Sequence, residues 1–275
     1  MPSLKTTGAS PTDIHYEDVG NGKPIVLIHG WPLSHRMWEG QIAALTDAGF
    51  RCVAYDRRGF GESGRPATGY DYDTFASDLN DLMTHLDLRD ATLAGFSMGG
   101  GEVARYLWKY GSDRVSKAML LGAVTPFLLK TPDNPGGVDM AMFDGMIEGV
   151  KKDRVAFLEQ FFPNFYNSDA GLKGASADLI PFSKWIAWGA SATGTRECIR
   201  AFGTTDFRGD LKQFTMPTCI IHGDSDRIVP FEISGKRSHE MINGSRLELL
   251  KGAPHGFAAT NAQQLNELMI DFLRS

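Results

Sequence analysis

Ser97 stands in the run Gly95-Phe96-Ser97-Met98-Gly99, directly after an apolar stretch and before a helical pattern. A serine in G-x-S-x-G at a strand-to-helix turn has the setting of an acyl-transfer nucleophile. The turn is sharp, so the serine backbone is expected to be strained, and a side chain at 95 or 99 would strike neighbouring backbone. Gly100 and Gly101 then let the helix start pack closely. The hydroxyl is left accessible at a sheet's carboxyl edge, over a helix N-terminus that favours developing negative charge. The competing reading is a glycine-rich turn with an incidental serine. A phosphate loop fits less well, because no Lys-Ser/Thr follows and G-x-G-x-x-G spacing is absent.

A serine hydroxyl is a weak nucleophile without a base, and the base needs an orienting acid. On such a turn the partners follow in chain order as serine, acid, histidine. "HGDSDRIVP" (222–230) follows an apolar run and offers Asp224 and Asp226, and "APHGF" (253–257) offers His255 after the last one. Asp226 is the better acid because it lies further into the loop, whereas Asp224 suits ordering the turn through backbone amides. His222 lies in or at the end of a strand and His239 in a helical stretch, so neither suits the base. His222, Asp224 and Asp226 also suggest a metal site, but no second histidine at ligand spacing accompanies them. No metal and no cofactor are expected.

An oxyanion would need two main-chain donors. Met98 supplies one, as the residue after the serine, and Trp31 in "HGWP" (29–32) is the candidate for the other. Gly30 permits close backbone approach, His29 braces the loop, and Pro32 fixes the geometry of Trp31.

Residues so far apart must be gathered by a sheet. "PIVLIHG" (24–30), "RCVAYDRRG" (51–59), "ATLAGFS" (91–97), "AMLLGAV" (118–124), "TCIIHGD" (218–224) and "RLELLKG" (246–252) read as strands buried on both faces. Residues 14–20 and the stretch before them read as an antiparallel N-terminal hairpin. Helical patterns fall at 37–49, 72–87, 101–111 and 261–275. The alternation predicts a doubly wound α/β sandwich. It breaks from about residue 126 to 212, where aromatic-rich helical periodicity replaces strands and a helix or two is expected over 142–166. The expected organisation is a core over 1–125 and 213–275, interrupted by a helical lid over 126–212.

With 42% hydrophobic and 22% charged residues and a net charge of −5, the 275-residue chain has a globular composition that points to neither nucleic acid nor an anionic membrane. The opening residues lack the apolar core of a secretory signal, and no run approaches the roughly 20 residues of a membrane span. Cys52, Cys198 and Cys219 are odd in number and far apart, which predicts free thiols and a reducing, cytoplasmic setting.

"HGWP", "YDRRGFGES" (55–63), "YDYDTFASDL" (70–79), "GFSMGGGEVARY" (95–106), "LLGAVTPFL" (120–128), "HGDSDRIVPFE" (222–232) and "APHGFAATNAQQLN" (253–266) together resemble the cofactor-free haloperoxidase and aryl esterase group of the α/β hydrolases. The match runs through nearly the whole chain and is looser in the lid. The resemblance implies an eight-stranded α/β-hydrolase sheet, hydrolysis of small or aromatic carboxylic esters, and perhydrolysis of short carboxylic acids by hydrogen peroxide. It places the triad on Ser97, Asp226 and His255 and the oxyanion donors on Trp31 and Met98. The lid is similar to that of related γ-lactamases, so cyclic amides are an alternative substrate class. Pro32 is typical of the perhydrolase-leaning members. A serine at the nucleophile position argues against epoxide or carbon–halogen cleavage, which use a carboxylate there. Family members are often oligomers, and no surface motif decides the state of this one.

Trp31, Pro32, Leu128, Phe161, Phe165, Ile228 and Phe231 are the expected pocket residues, several of which could equally be lid core. Asp56, Arg57 and Arg58 read as loop-bracing ions rather than substrate ligands. From a different functional class, a small-molecule receptor with an intact triad and no turnover is the alternative.

Overall fold

The computed structural model describes residues 2–172 and 175–275; residues 173 and 174 of the 126–212 segment lie outside it. A short antiparallel hairpin, β1 (Ser3–Lys5) and β2 (Asp13–Gly20), opens the chain. The core strands follow as β3 (Pro24–Ile28), β4 (Arg51–Tyr55), β5 (Ala91–Phe96), β6 (Val115–Leu121), β7 (Thr218–Gly223) and β8 (Arg246–Leu250). They form one sheet in the order β1-β2-β4-β3-β5-β6-β7-β8, with β3 to β8 parallel and β2 antiparallel to β4. Every residue of β5 and β7 is buried, as the apolar runs require of strands covered on both faces.

Helix α1 (Glu39–Asp47) packs with the terminal helix α9 (Ala262–Arg274), and α2 (Tyr72–His85) packs with α3 (Met98–Tyr110). These pairs form the helical layers of the sandwich. The amphipathic spacing of α9 buries Leu265, Met269, Phe272 and Leu273 on one stripe. Asp71 caps α2 by accepting from the Thr74 N–H.

Two boundaries differ from the sequence reading. Helix α3 begins at Met98 and so includes Gly99, Gly100 and Gly101. Their low helix propensity is overridden because a Cβ on Gly100 would strike Ala123, and one on Gly101 would strike Phe207 and Tyr72. Strand β6 starts three residues earlier than expected and ends at Leu121, because Gly122 takes φ +53 and turns the chain away. Its first residues, Val115-Ser116-Lys117, are not an apolar run, which hid them.

Between β6 and β7 the chain carries α4 (Met140–Phe165), α5 (Leu179–Trp188) and α6 (Ala192–Thr204). Helix α4 is two helices joined at a kink, where Asp153 leaves helical geometry at φ −160 and ψ 94. Asp153 then accepts from the Ala156 N–H, so the kink residue caps the second half. Helix α7 (Gly235–Met241), the helical stretch expected around His239, and the short α8 (Phe257–Thr260), not legible in the sequence, complete the nine α-helices among the described residues. Among the described residues, no helix is long and apolar enough to cross a membrane.

Candidate active site

Ser97 sits between β5 and α3 with φ +54 and ψ −117, a backbone conformation that an L-residue adopts only under constraint. The constraint is visible in its neighbours. A Cβ on Gly95 would land on the Gly99 carbonyl, and one on Gly99 would land on the Ile28 carbonyl. Gly30, in the loop after β3, lies against the Phe96 ring and the Ser97 Cβ in the same way. The turn therefore tolerates only glycine at these positions, and it points the Ser97 side chain out of the sheet's carboxyl edge.

His255, in the loop after β8, places Nε2 2.9 Å from Ser97 Oγ. Its Nδ1 lies 2.6 Å from Asp226 Oδ2 in the loop after β7. Asp226 Oδ1 accepts from the Ile228 and Val229 N–H groups at 2.9 and 2.8 Å. Serine, histidine and aspartate thus form one hydrogen-bonded line, and all three are buried. Burial works against the Asp226 charge, but the charges and hydrogen bonds of His255 and His222 outweigh it, holding its carboxyl well below the usual carboxylate range. The acid stays ionised and orients the imidazole so that Nε2 faces the serine.

Sequence reasoning missed the part played by His222. It donates through Nε2 to the Val229 carbonyl at 2.8 Å, and this nitrogen is 3.3 Å from Asp226 Oδ2. The spacing of four residues between His222 and Asp226 was the available signal. Asp224 orders the turn, accepting from the Gly252 N–H at 2.6 Å.

Met98 directly follows Ser97 and Trp31 lines the same cavity as Ser97, and among the described residues neither main-chain N–H donates to a protein acceptor. The loop carrying Trp31 is braced from beneath. His29 donates from Nδ1 to the Gly30 carbonyl and accepts the Arg57 N–H at Nε2. Burial, together with the Arg57 charge, lowers its pKa to about 3, so it is a neutral brace and not a base. Arg57 also donates to the His29 carbonyl at 2.9 Å and to Glu102 of α3 at 2.7 Å, tying the β3 and β4 loops to the helix behind the serine. Arg58 pairs with Asp78, and Asp56 accepts from His35 and the Glu62 N–H. These three charged residues are buried in bracing contacts and do not line the cavity that holds Ser97.

A cavity of about 80 Å³ opens on Ser97. Of the expected pocket residues, Trp31, Leu128, Phe161 and Ile228 line it. Met142, Phe143 and Met146 of α4 and Phe202 of α6 join them; their helical spacing was legible, but which face they present was not. Pro32, joined to Trp31 by a cis peptide bond, is outside the lining. Phe165 is outside it too, because it stands edge-on to the His255 ring, with centroids 5.0 Å apart, and lines a separate cavity of about 50 Å³. Phe231 packs on the His222 ring instead of on substrate space.

One group among the described residues has metal-ligand spacing: His15, His35 and Asp56 bring donor atoms within 4.8 Å of one another. The Asp56 oxygens already accept from His35 and the Glu62 N–H, while the His15 ring packs on the His35 ring with centroids 5.0 Å apart. The three cysteines are free and buried.

Comparison with known proteins agrees with this geometry. Residues 23–262 match the family of the alpha/beta hydrolase fold. The chain is 42% identical over 264 residues to a non-heme chloroperoxidase of Kitasatospora aureofaciens, covering 95% of this chain and 96% of the relative. It is 38% identical over 268 residues to a bifunctional esterase/perhydrolase of Acinetobacter calcoaceticus, covering 96% of each. The crystal structure of a bromoperoxidase from Bacillus anthracis superposes with a TM-score of 0.94 at 50% identity over the whole of both chains. An enzyme-like serine line on a parallel sheet, the family match and these relatives lead to one conclusion: the chain belongs to the α/β-hydrolase fold family, within its group of non-heme haloperoxidases and esterases.

Proposed function

We propose that the protein is a serine hydrolase of small or aromatic carboxylic esters that also makes peracids from carboxylic acids and hydrogen peroxide, with Ser97, His255 and Asp226 as its triad. The observation that carries this reading is the continuous line from Ser97 Oγ to His255 to Asp226, at 2.9 and 2.6 Å, opening on an apolar cavity. His255 takes the Ser97 proton as the hydroxyl attacks the carbonyl carbon, and Asp226 stabilises the imidazolium that forms. The N–H groups of Trp31 and Met98 receive the oxyanion, each contributing roughly 3–4 kcal/mol to the transition state. His255 returns the proton to the leaving group. It then activates water, or hydrogen peroxide, to release the acyl group as acid or peracid. The α4–α6 segment (within 126–212) acts as the lid of the acyl pocket, and its walls favour compact apolar acyl groups.

Pro32 belongs to this reading through the Trp31 carbonyl, whose placement it sets and which accepts a hydrogen bond from bound peroxide. The three buried thiols suit a reducing, cytoplasmic setting.

The test offers p-nitrophenyl acetate with and without hydrogen peroxide, reading p-nitrophenol and peracetic acid separately, with Ser97→Ala as control. Serine-dependent ester turnover with peracid supports the full reading. Turnover without peracid reduces the protein to an esterase and removes the role given to Pro32. No turnover in either condition sinks the reading and shifts the search to cyclic amides or a receptor.

A further inference from the structure

The cavity that opens on Ser97 holds two oxidisable side chains. Met142 and Met146 lie one helical turn apart on α4, and both thioethers line the same space as Ser97. Met142 is well exposed, with 61% of its surface accessible, and Met146 is partly buried. Met140, at the start of the same helix, is not part of the lining, and exposed Met241 lies on α7. A peracid released from the serine therefore passes Met146 in the cavity wall and Met142 at its solvent-exposed rim before it is diluted in bulk water, where its concentration falls steeply.

We infer that Met142 and Met146 are a self-modification site, at which peracid made at Ser97 converts the thioethers to sulfoxides and so changes the acyl pocket in proportion to turnover. The inference rests on the perhydrolase part of the function proposed above. Hydrogen peroxide first displaces the acyl group from Ser97, giving the peracid and the free hydroxyl. The methionine sulfur then attacks the terminal peroxy oxygen. The S–O bond forms as the O–O bond breaks, sulfur is oxidised by two electrons, and the peracid leaves as its carboxylic acid with the hydroxyl proton on it. A sulfoxide is polar and stiffer than the flexible apolar thioether it replaces. Two of them in this wall would weaken its fit to apolar acyl groups, and a methionine sulfoxide reductase would restore it.

The protein is incubated with acetate and hydrogen peroxide in excess free N-acetylmethionine, which removes peracid from bulk solution. Parallel samples use Ser97→Ala, and unaltered protein without acetate, which controls for any folding defect of the variant. Fragment mass spectrometry reads sulfoxide at each methionine, and peracetic acid is assayed separately without the scavenger. The expected result is sulfoxide at Met142 and Met146, relative to Met140 and Met241, about tenfold or more above both controls, because confinement raises the effective concentration of oxidant. Equal ratios in all samples while peracetic acid is being made would overturn the inference and leave the perhydrolase reading standing. Ester turnover with no peracetic acid would overturn both.

Discussion

The indole N–H of Trp31 donates to the main-chain carbonyl of Thr195 at 2.9 Å, joining residues 164 apart in the chain. Trp31 lines the cavity together with Ser97, while its indole holds α6. The same indole packs edge-on against Phe161 and Phe202, with centroids 5.1 and 5.8 Å away. One residue thus couples the candidate oxyanion loop to the helices that close the cavity, so the position of these helices and the position of the donor are set together.

Trp31→Phe keeps most of the apolar contact and removes the hydrogen bond, while the Thr195 carbonyl keeps its place in the α6 ladder. The expected cost is about 0.5–1.5 kcal/mol, read as a fall in Tm of about 2–4 °C per kcal/mol. KM for p-nitrophenyl acetate should rise along with the fall in Tm. A variant with unchanged Tm and KM would show that the coupling has no energetic content.

Asp226→Asn removes the acceptor that orients His255 while preserving size. By analogy with other serine triads, kcat should drop by about 10⁴-fold. Circular dichroism should show the fold retained, because the Ile228 and Val229 N–H groups can still bond the amide oxygen. A loss of less than about tenfold would mean that the imidazole finds its orientation elsewhere, with His222 as the neighbour to examine next.

His29 makes stability depend on pH in a stated direction. Its pKa is lowered from 6.5 to about 3 by burial and by Arg57, so between those values the unfolded chain holds a proton that the folded chain does not. Stability from this residue is therefore complete above pH 6.5 and is lost as pH falls towards 3, at up to about 1.4 kcal/mol per pH unit. Urea midpoints measured at pH 7, 5.5 and 4.5 should fall in that order, and His29→Gln should flatten the trend. An unchanged slope in the variant would assign the acid sensitivity to other groups.

Two glycine substitutions should move in opposite directions. Gly99→Ala drives a methyl group into the Ile28 carbonyl, so soluble yield and Tm should collapse. Gly145→Ala, in α4 with nothing near its added methyl, should stabilise by about 0.5–1 kcal/mol through helix propensity. Thermal melts of both read the difference, and equal effects would contradict the close approach at the Ser97 turn.

The sequence alone determined the parts of this protein that depend on local physics. Continuous apolar runs marked the parallel strands because both their faces are covered, and alternation with helical periodicity then left few topologies. The glycines around Ser97 announced a turn that only they can make, and loops that follow strands were the natural places for Asp226 and His255. Tertiary structure decided what depends on direction. Phe161 and Phe165 are four residues apart on one helix, yet the first lines the Ser97 cavity and the second stands edge-on to the His255 ring. The reason is that Phe165 is drawn off by packing against Phe96 and His255, contacts made by residues distant in the chain. Phe231 was likewise claimed by His222, and His222 by Asp226. Spacing reports which residues share an element, but the face each one presents is fixed by neighbours that only the folded chain brings together.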